Sequence, residues 1–168
     1  QTGRVACGLA RFGLIPAWAK DDKISKHTYN ARAETVNDKP SYRAPWRHHR
    51  YCIALLDNFY EPNYVTGKAI RWKIELATHE PLGIASIWDT WTDPSTGKVV
   101  TSFSMLTVNA DEHPVMKQFH KPGDEKRTPV ILAPSQFDQW LSADQAQAAA
   151  MLNLQSRPEL TSQRHPKI

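Results

Sequence analysis

The chain has 168 residues, 40% of them hydrophobic and 23% charged, a balance that reads as a soluble globular protein and excludes a disordered one. That length fits one domain spanning residues 1–168, able to bury about 70% of its unfolded surface. No apolar run approaches the ~20 residues a membrane helix needs, and no secretory leader is visible. The net charge is +4, but it is uneven. Lys20, Lys23, Lys26, Arg32, Lys39, Arg43, Arg47 and Arg50 outnumber the acids Asp21, Asp22, Glu34 and Asp38 around them. Such a cluster suits a polyanion such as nucleic acid, with Arg43 a candidate contact, or it is simply a solvated basic face.

In chain order, Val5 to Ile15 reads as a strand that Pro16 ends. Ala17 to Thr28 is a charged connection, and Ser41 to Trp46 is a single helical turn limited by Pro45. Tyr51 to Leu56 is a short buried strand that enters a turn at Asp57-Asn58, with Asn58 in the left-handed conformation. Ile70 to Leu76 alternates as a half-buried strand. Gly83 to Trp91 and Val99 to Val108 form a hairpin around Asp93-Pro94-Ser95-Thr96-Gly97. Asp111 to Phe119 reads as a short helix and Pro129 to Leu132 as a brief strand. Two helices close the chain, one capped by Ser135 and running through Trp140, the other capped by Ser142 and running to about Leu154. The expected class is α+β, a largely antiparallel, barrel-like sheet with short helices at its edges.

Three islands carry chemistry. In Asn30-Ala31-Arg32-Ala33-Glu34-Thr35 polar and small residues alternate, so an extended backbone puts Asn30, Arg32 and Glu34 on one face. There Arg32 can take a phosphate bidentately and Asn30 can orient a sugar, or Arg32 and Glu34 simply pair on a sheet edge. In Asp57-Asn58-Phe59-Tyr60-Glu61 the carboxyl of Glu61 emerges beside two aromatics, where partial desolvation raises a pKa toward general acid–base use; the plain alternative is an exposed strand end. His120 precedes the loop Lys121-Pro122-Gly123, and Arg127-Thr128-Pro129 returns to a strand. Trp18, on a loop in the basic region, can stack on an unpaired base. Cys7 and Cys52 show neither a CxxC nor a metal spacing, so the default is a reducing cytoplasm and two packing thiols. The other histidines lack partners at ligand spacing, and neither a metal nor a cofactor is expected.

The order of these islands, with Phe12-Gly13-Leu14-Ile15-Pro16 upstream, resembles the SRAP family of SOS-response-associated peptidases or abasic-site processing proteins. The family's Trp-Gly-Leu-Ile-Pro looks like Phe12 to Pro16, and its Asn-Ala-Arg-x-Glu-Thr matches Asn30 to Thr35. Its Cys-Leu-Ile-Pro-Ala-Asp-Gly-Phe-Tyr-Glu-Trp looks like Cys52 to Pro62, and its His-Asp-Arg-Met-Pro looks like His120 to Pro129 with an enlargement before Arg127. The resemblance implies a bacterial or phage protein, monomeric and cytoplasmic, that crosslinks to abasic sites in single-stranded DNA. Its nucleophile would be an N-terminal cysteine exposed by self-removal of the initiating Met, closing a thiazolidine on the sugar aldehyde. Glu61 and His120 would then open the sugar ring and move protons, and Asn30 would position the reacting groups. Arg32 and Arg127 would hold phosphates, with Trp18 and Thr107 as further DNA contacts. The chain begins Gln1-Thr2-Gly3-Arg4 and has no such cysteine, so Gly3-Arg4 reads as a coincidental match to the family's Met-Cys-Gly-Arg start. The C-terminus also looks short, because the family has another strand after its last helices. A DNA-binding module that lost its nucleophile and a thiol peptidase remain the alternatives.

Overall fold

The structure, a computed structural model, describes residues 5–155 and 158–165; Gly3-Arg4 lie outside the described residues. The strands are β1 (Arg11–Phe12), β2 (Asn30–Arg32), β3 (Tyr51–Leu56), β4 (Phe59–Asn63), β5 (Ile70–Leu76), β6 (Leu82–Thr92), β7 (Val99–Asn109), β8 (Arg127–Pro129), β9 (Ile131–Leu132) and β10 (Leu160–Arg164). The α-helices are α1 (Arg43–Arg47), α2 (Phe137–Ser142) and α3 (Gln145–Met151). The larger sheet runs β1-β7-β6-β3, with β2 and β8 also on β7 and β9 on β6; the smaller runs β10-β5-β4. Only β1 and β2 lie parallel to their partner β7, so the class is α+β and largely antiparallel. The two sheets remain separate hydrogen-bonded units and do not close into a barrel.

Strand alternation sorts the core into two layers. On one face of the larger sheet Ala85, Ile87, Leu106 and Val108 pack under Trp46, Trp140 and Ala148 from the helices. The indole of Trp140 donates to the Cys52 carbonyl at 2.9 Å, which pins α2 to β3. On the other face Ala54, Ile84, Met105 and Ile131 meet Ile74, Leu76 and Leu160 of the smaller sheet, with Met116 and Phe119 closing the layer. In β4, Phe59, Glu61 and Asn63 sit opposite Ile74, Trp72 and Ile70. Glu61 therefore shares a strand face with Phe59 and with the core residue Ile74.

Several expectations are corrected. Val5 to Ala10 form no strand: Val5 and Leu9 are exposed, and pairing begins only where Arg11–Phe12 meet β7. Cys7 is consequently exposed rather than packed. Asp111 to Phe119 is not a helix, because side chains satisfy its leading amides. Asn109 Oδ1 accepts from Asp111, and His113 Nδ1 accepts from Val115 and Met116, which leaves a single 3-10 turn at Met116–Gln118 after Pro114. Asn58 does not take positive φ; among the described non-glycine residues His49, His79 and His120 do. Asp144, not Ser142, caps α3, in a box with Gln147, while Ser142 Oγ bonds back to Asp138 within α2. Ser135 lies within a 3-10 turn ahead of α2 rather than capping it. The last strand expected to be missing is present as β10 on β5.

Gly13 sits at φ +96°, and a Cβ there would lie 2.2 Å from the Ser25 carbonyl oxygen. Gly13→Ala is therefore expected to cost at least about 2 kcal/mol and to lower Tm by at least ~4 °C. Gly67→Ala, also at positive φ but in open space, is expected to cost about half that in the same thermal melts.

Candidate functional site

His120 is held from four sides. Its amide donates to the Pro62 carbonyl at 3.1 Å, and its own carbonyl accepts from Lys126 Nζ at 3.2 Å. Its Nε2 lies 2.9 Å from the Arg127 carbonyl oxygen, and its Nδ1 lies 3.5 Å from Glu61 Oε2. A carbonyl only accepts, so the contact with Arg127 fixes a proton on Nε2 and turns Nδ1 toward the carboxyl. The next proton then belongs to Glu61 or to Nδ1, and it can pass between them. Burial pushes the Glu61 carboxyl above its ordinary pKa, and the neighbouring His120 charge opposes that only in part. The backbone of His120 is left-handed, at φ 65°. That conformation is unfavourable for a non-glycine residue and is fixed here by the surrounding contacts.

Arg127 connects this pair to a cluster of charges. Its Nε donates to Thr107 Oγ1 at 3.2 Å and its Nη2 to the Thr107 carbonyl at 2.7 Å. Glu34 takes both terminal nitrogens, at 3.2 and 2.9 Å. Glu125 accepts from Arg127 Nη1 at 2.5 Å through Oε1 and from Arg32 Nη1 at 2.5 Å through Oε2. The alternative of a simple Arg32–Glu34 pair is thus replaced by crossed pairs. The chain leaves β2 at Arg32 and turns, with the Thr35 amide donating to the Arg32 carbonyl, so Glu34 departs from the strand face and reaches Arg127. Burial pushes the Glu34 carboxyl up, but the hydrogen bonds and charge of Arg127 outweigh it and hold the pKa below the ordinary value. The same guanidinium holds the exposed Glu125 carboxyl down.

Asn30 and Arg32 sit opposite Met105 and Thr107, on one face of β2. The Asn30 carbonyl accepts from Tyr42 Oη, and its side chain makes no hydrogen bond to Glu61 or His120. Trp18 is 58% exposed and tethered only at its indole nitrogen, 3.3 Å from the Pro40 carbonyl; Arg43 is exposed at the start of α1, outside the cluster. Thr107 is buried and acts as a support for Arg127. Sequence reasoning missed Glu125 and Lys126. It also missed an exposed aromatic ledge: Phe12 stacks on Phe103 with centroids 5.2 Å apart and meets Tyr29 at 4.7 Å. Cys52 is half-buried, and burial pushes its thiol up to about 12, far from a thiolate at neutral pH. Among the described residues no group of His, Cys, Asp and Glu is placed to hold a metal ion, and no helix is long and apolar enough to cross a membrane.

A family model described as SOS response associated peptidase (SRAP) matches residues 1–166. The chain belongs to the SRAP family. It is 36% identical over 136 residues to the abasic site processing protein YoqW of Bacillus subtilis, covering 80% of this chain and 57% of that protein. It is 29% identical over 123 residues to the abasic site processing protein HMCES of Gallus gallus, covering 61% and 37%. The chain thus spans little more than half the length of the curated relatives it matches. A solved structure from Bordetella bronchiseptica superposes with TM-score 0.85 at 31% identity, over 94% of this chain and 76% of that one. One from Bacteroides thetaiotaomicron gives 0.74 at 27%, over 90% and 66%.

A carboxyl with a raised pKa keeps its proton more tightly in the folded protein than in the unfolded chain. Its contribution to stability is complete below the ordinary value of 4.5 and is lost as pH rises through the folded value. Glu34 and Glu125 run the other way, their contribution being lost as pH falls. In carbon-detected NMR titrations Glu61 is expected to titrate above 4.5, and His120→Ala is expected to move it higher still, because a cation that favours the carboxylate has been removed.

Proposed function

We propose that this protein processes abasic sites in single-stranded DNA, with Glu61 and His120 as the proton-transfer pair and Arg32 and Arg127 as phosphate contacts. The observation that carries the reading is the shared residue: Arg127 presents its guanidinium to the charge cluster while its carbonyl orients His120 against Glu61. An abasic sugar rests mostly as a closed hemiacetal. Opening it removes a proton from the C1′ hydroxyl and delivers one to the ring oxygen. Two groups that share a proton, one a carboxyl of raised pKa, can do both without losing a proton to solvent.

The aldehyde so formed is the electrophile for an N-terminal cysteine, which is not among these residues. Its α-amine adds to the aldehyde carbon, water leaves to give an imine, and the thiol sulfur adds to the imine carbon while its proton goes to the ring nitrogen. An α-amine suits this step because its pKa, about 7.7–8.0, leaves much more of it neutral at pH 7 than a lysine. Asn30 would position the sugar and the terminus. Trp18 and the ledge of Phe12 and Tyr29 offer faces on which an unpaired base can stack, a preference for single strands over duplex.

The full-length protein is expected to form a heat-stable adduct with single-stranded DNA carrying an abasic site, read on a denaturing gel. Glu61→Gln is expected to slow adduct formation by roughly 10²–10⁴-fold while binding is retained, and an already ring-opened aldehyde should recover much of the loss. Retained binding with no adduct from protein with a verified N-terminal cysteine would leave a binding module instead. A parental rate in Glu61→Gln and His120→Ala would remove both from the mechanism.

A further inference from the structure

The two arginines assigned to phosphate are already occupied by the chain itself. Glu125 bridges them, one carboxylate oxygen on Arg32 and the other on Arg127, each at 2.5 Å. This is the contact pattern that a phosphodiester's two non-bridging oxygens would make with the same nitrogens. Arg127 keeps other partners: Glu34 grips its terminal nitrogens, and Thr107 takes Nε and Nη2. Arg32 has no carboxylate partner besides Glu125 among the described residues. Removing Glu125 alone would therefore leave Arg127 aimed and Arg32 open.

The two carboxylates also sit on unlike supports. Glu34 lies in a turn knitted by backbone bonds, the Ala33 amide to the Thr107 carbonyl and the Thr35 amide to the Arg32 carbonyl. Glu125 ends an exposed segment, Lys121 to Glu125, that contains Gly123 at φ 87° and one internal backbone bond, from the Asp124 amide to the Lys121 carbonyl. Lys126 anchors the base of that segment on the His120 and Lys121 carbonyls. Glu125 is carried on this exposed segment, whereas His120 and β8 are held by bonds of their own.

We propose that Glu125 is an internal phosphate mimic, a tethered carboxylate that fills the phosphate seat between Arg32 and Arg127 and must be displaced by a nucleic-acid phosphate. The proposal rests on the reading of those arginines as phosphate contacts. It makes Glu125 a determinant of affinity that competes with ligand, and Glu34 a support that does not.

The test is fluorescence anisotropy of the full-length protein and its variants with a labelled single-stranded oligonucleotide that has no abasic site, so that no covalent step enters, at one fixed salt concentration. Glu125→Ala is expected to bind about three- to tenfold more tightly than the parent, the scale of exposed ion pairs released, with Glu125→Gln between the two. The gain should vanish when Arg32→Ala is added, since the seat then has one wall. Glu34→Gln is expected to weaken binding. Unchanged or weaker binding by both Glu125 variants, with parental thermal melts, overturns the mimic while leaving the arginine assignment intact. If Arg32→Ala and Arg127→Ala bind the strand as the parent does, the arginine assignment itself is wrong and the mimic falls with it.

Discussion

The contact between His120 Nε2 and the Arg127 carbonyl is the one on which the rest of the site depends. A histidine beside a carboxyl has two tautomers available, and only one of them leaves an acceptor facing Glu61. The carbonyl selects that tautomer, so Nδ1 faces the Glu61 carboxyl as an acceptor. Because the carbonyl belongs to Arg127, the tautomer is set by the residue whose side chain anchors the charge cluster. Any displacement of β8 would disturb the His120 contact and the charge cluster together.

The fold supplies this coupling through register. Arg127 lies opposite Asn109 and Pro129 opposite Thr107 on β7, and the same Thr107 lies opposite Arg32 on β2. One residue of β7 thus fixes the positions of both arginines, from strands that flank it on either side. Glu61 arrives from the other sheet, where the amide of His120 on the Pro62 carbonyl and the bridge between Asn63 and Phe119 tie β4 to the segment ahead of β8. The left-handed turn at His120 is what this crossing requires: Phe119 must enter the apolar layer while the next side chain returns to the polar rim. Burial of Phe119 and Met116 offsets the backbone strain, a trade that holds at the edge of a packed layer.

Where local pattern decides structure, the sequence was legible. Tyr51 to Leu56 and Ile70 to Leu76 form strands with the expected ends, because alternation and turn residues bound them on both sides. The long hairpin follows from Asp93, whose carboxylate accepts from Ser95 and Thr96. Legibility failed where a side chain competes with the backbone, as at His113, or where pairing depends on a distant strand, as for Val5 to Ala10 and the polar β10. The ionic partners were the least legible part of all. Arg32 and Glu125 are far apart in the chain, and a turn of a few residues redirected Glu34 to Arg127. Spacing arguments describe what a strand face presents and carry no information about which loop folds over it.

That last point bears on how charge should be read in this protein. A basic stretch suggested an open electropositive surface, yet the arginines nearest Glu61 and His120 are matched by two carboxylates at hydrogen-bonding distance. A matched cluster has little long-range field, so it contributes little to steering a polyanion from solution. On the proposed reading its contribution is local, the exchange of one anion for another at the two guanidiniums. An isolated phosphate has only that exchange to gain. A single strand would also gain base stacking beside the exposed Trp18, so on that reading the exchange favours a polymer over a free anion. On that reading a matched centre would place the selectivity in the number of phosphates engaged rather than in the strength of any one contact.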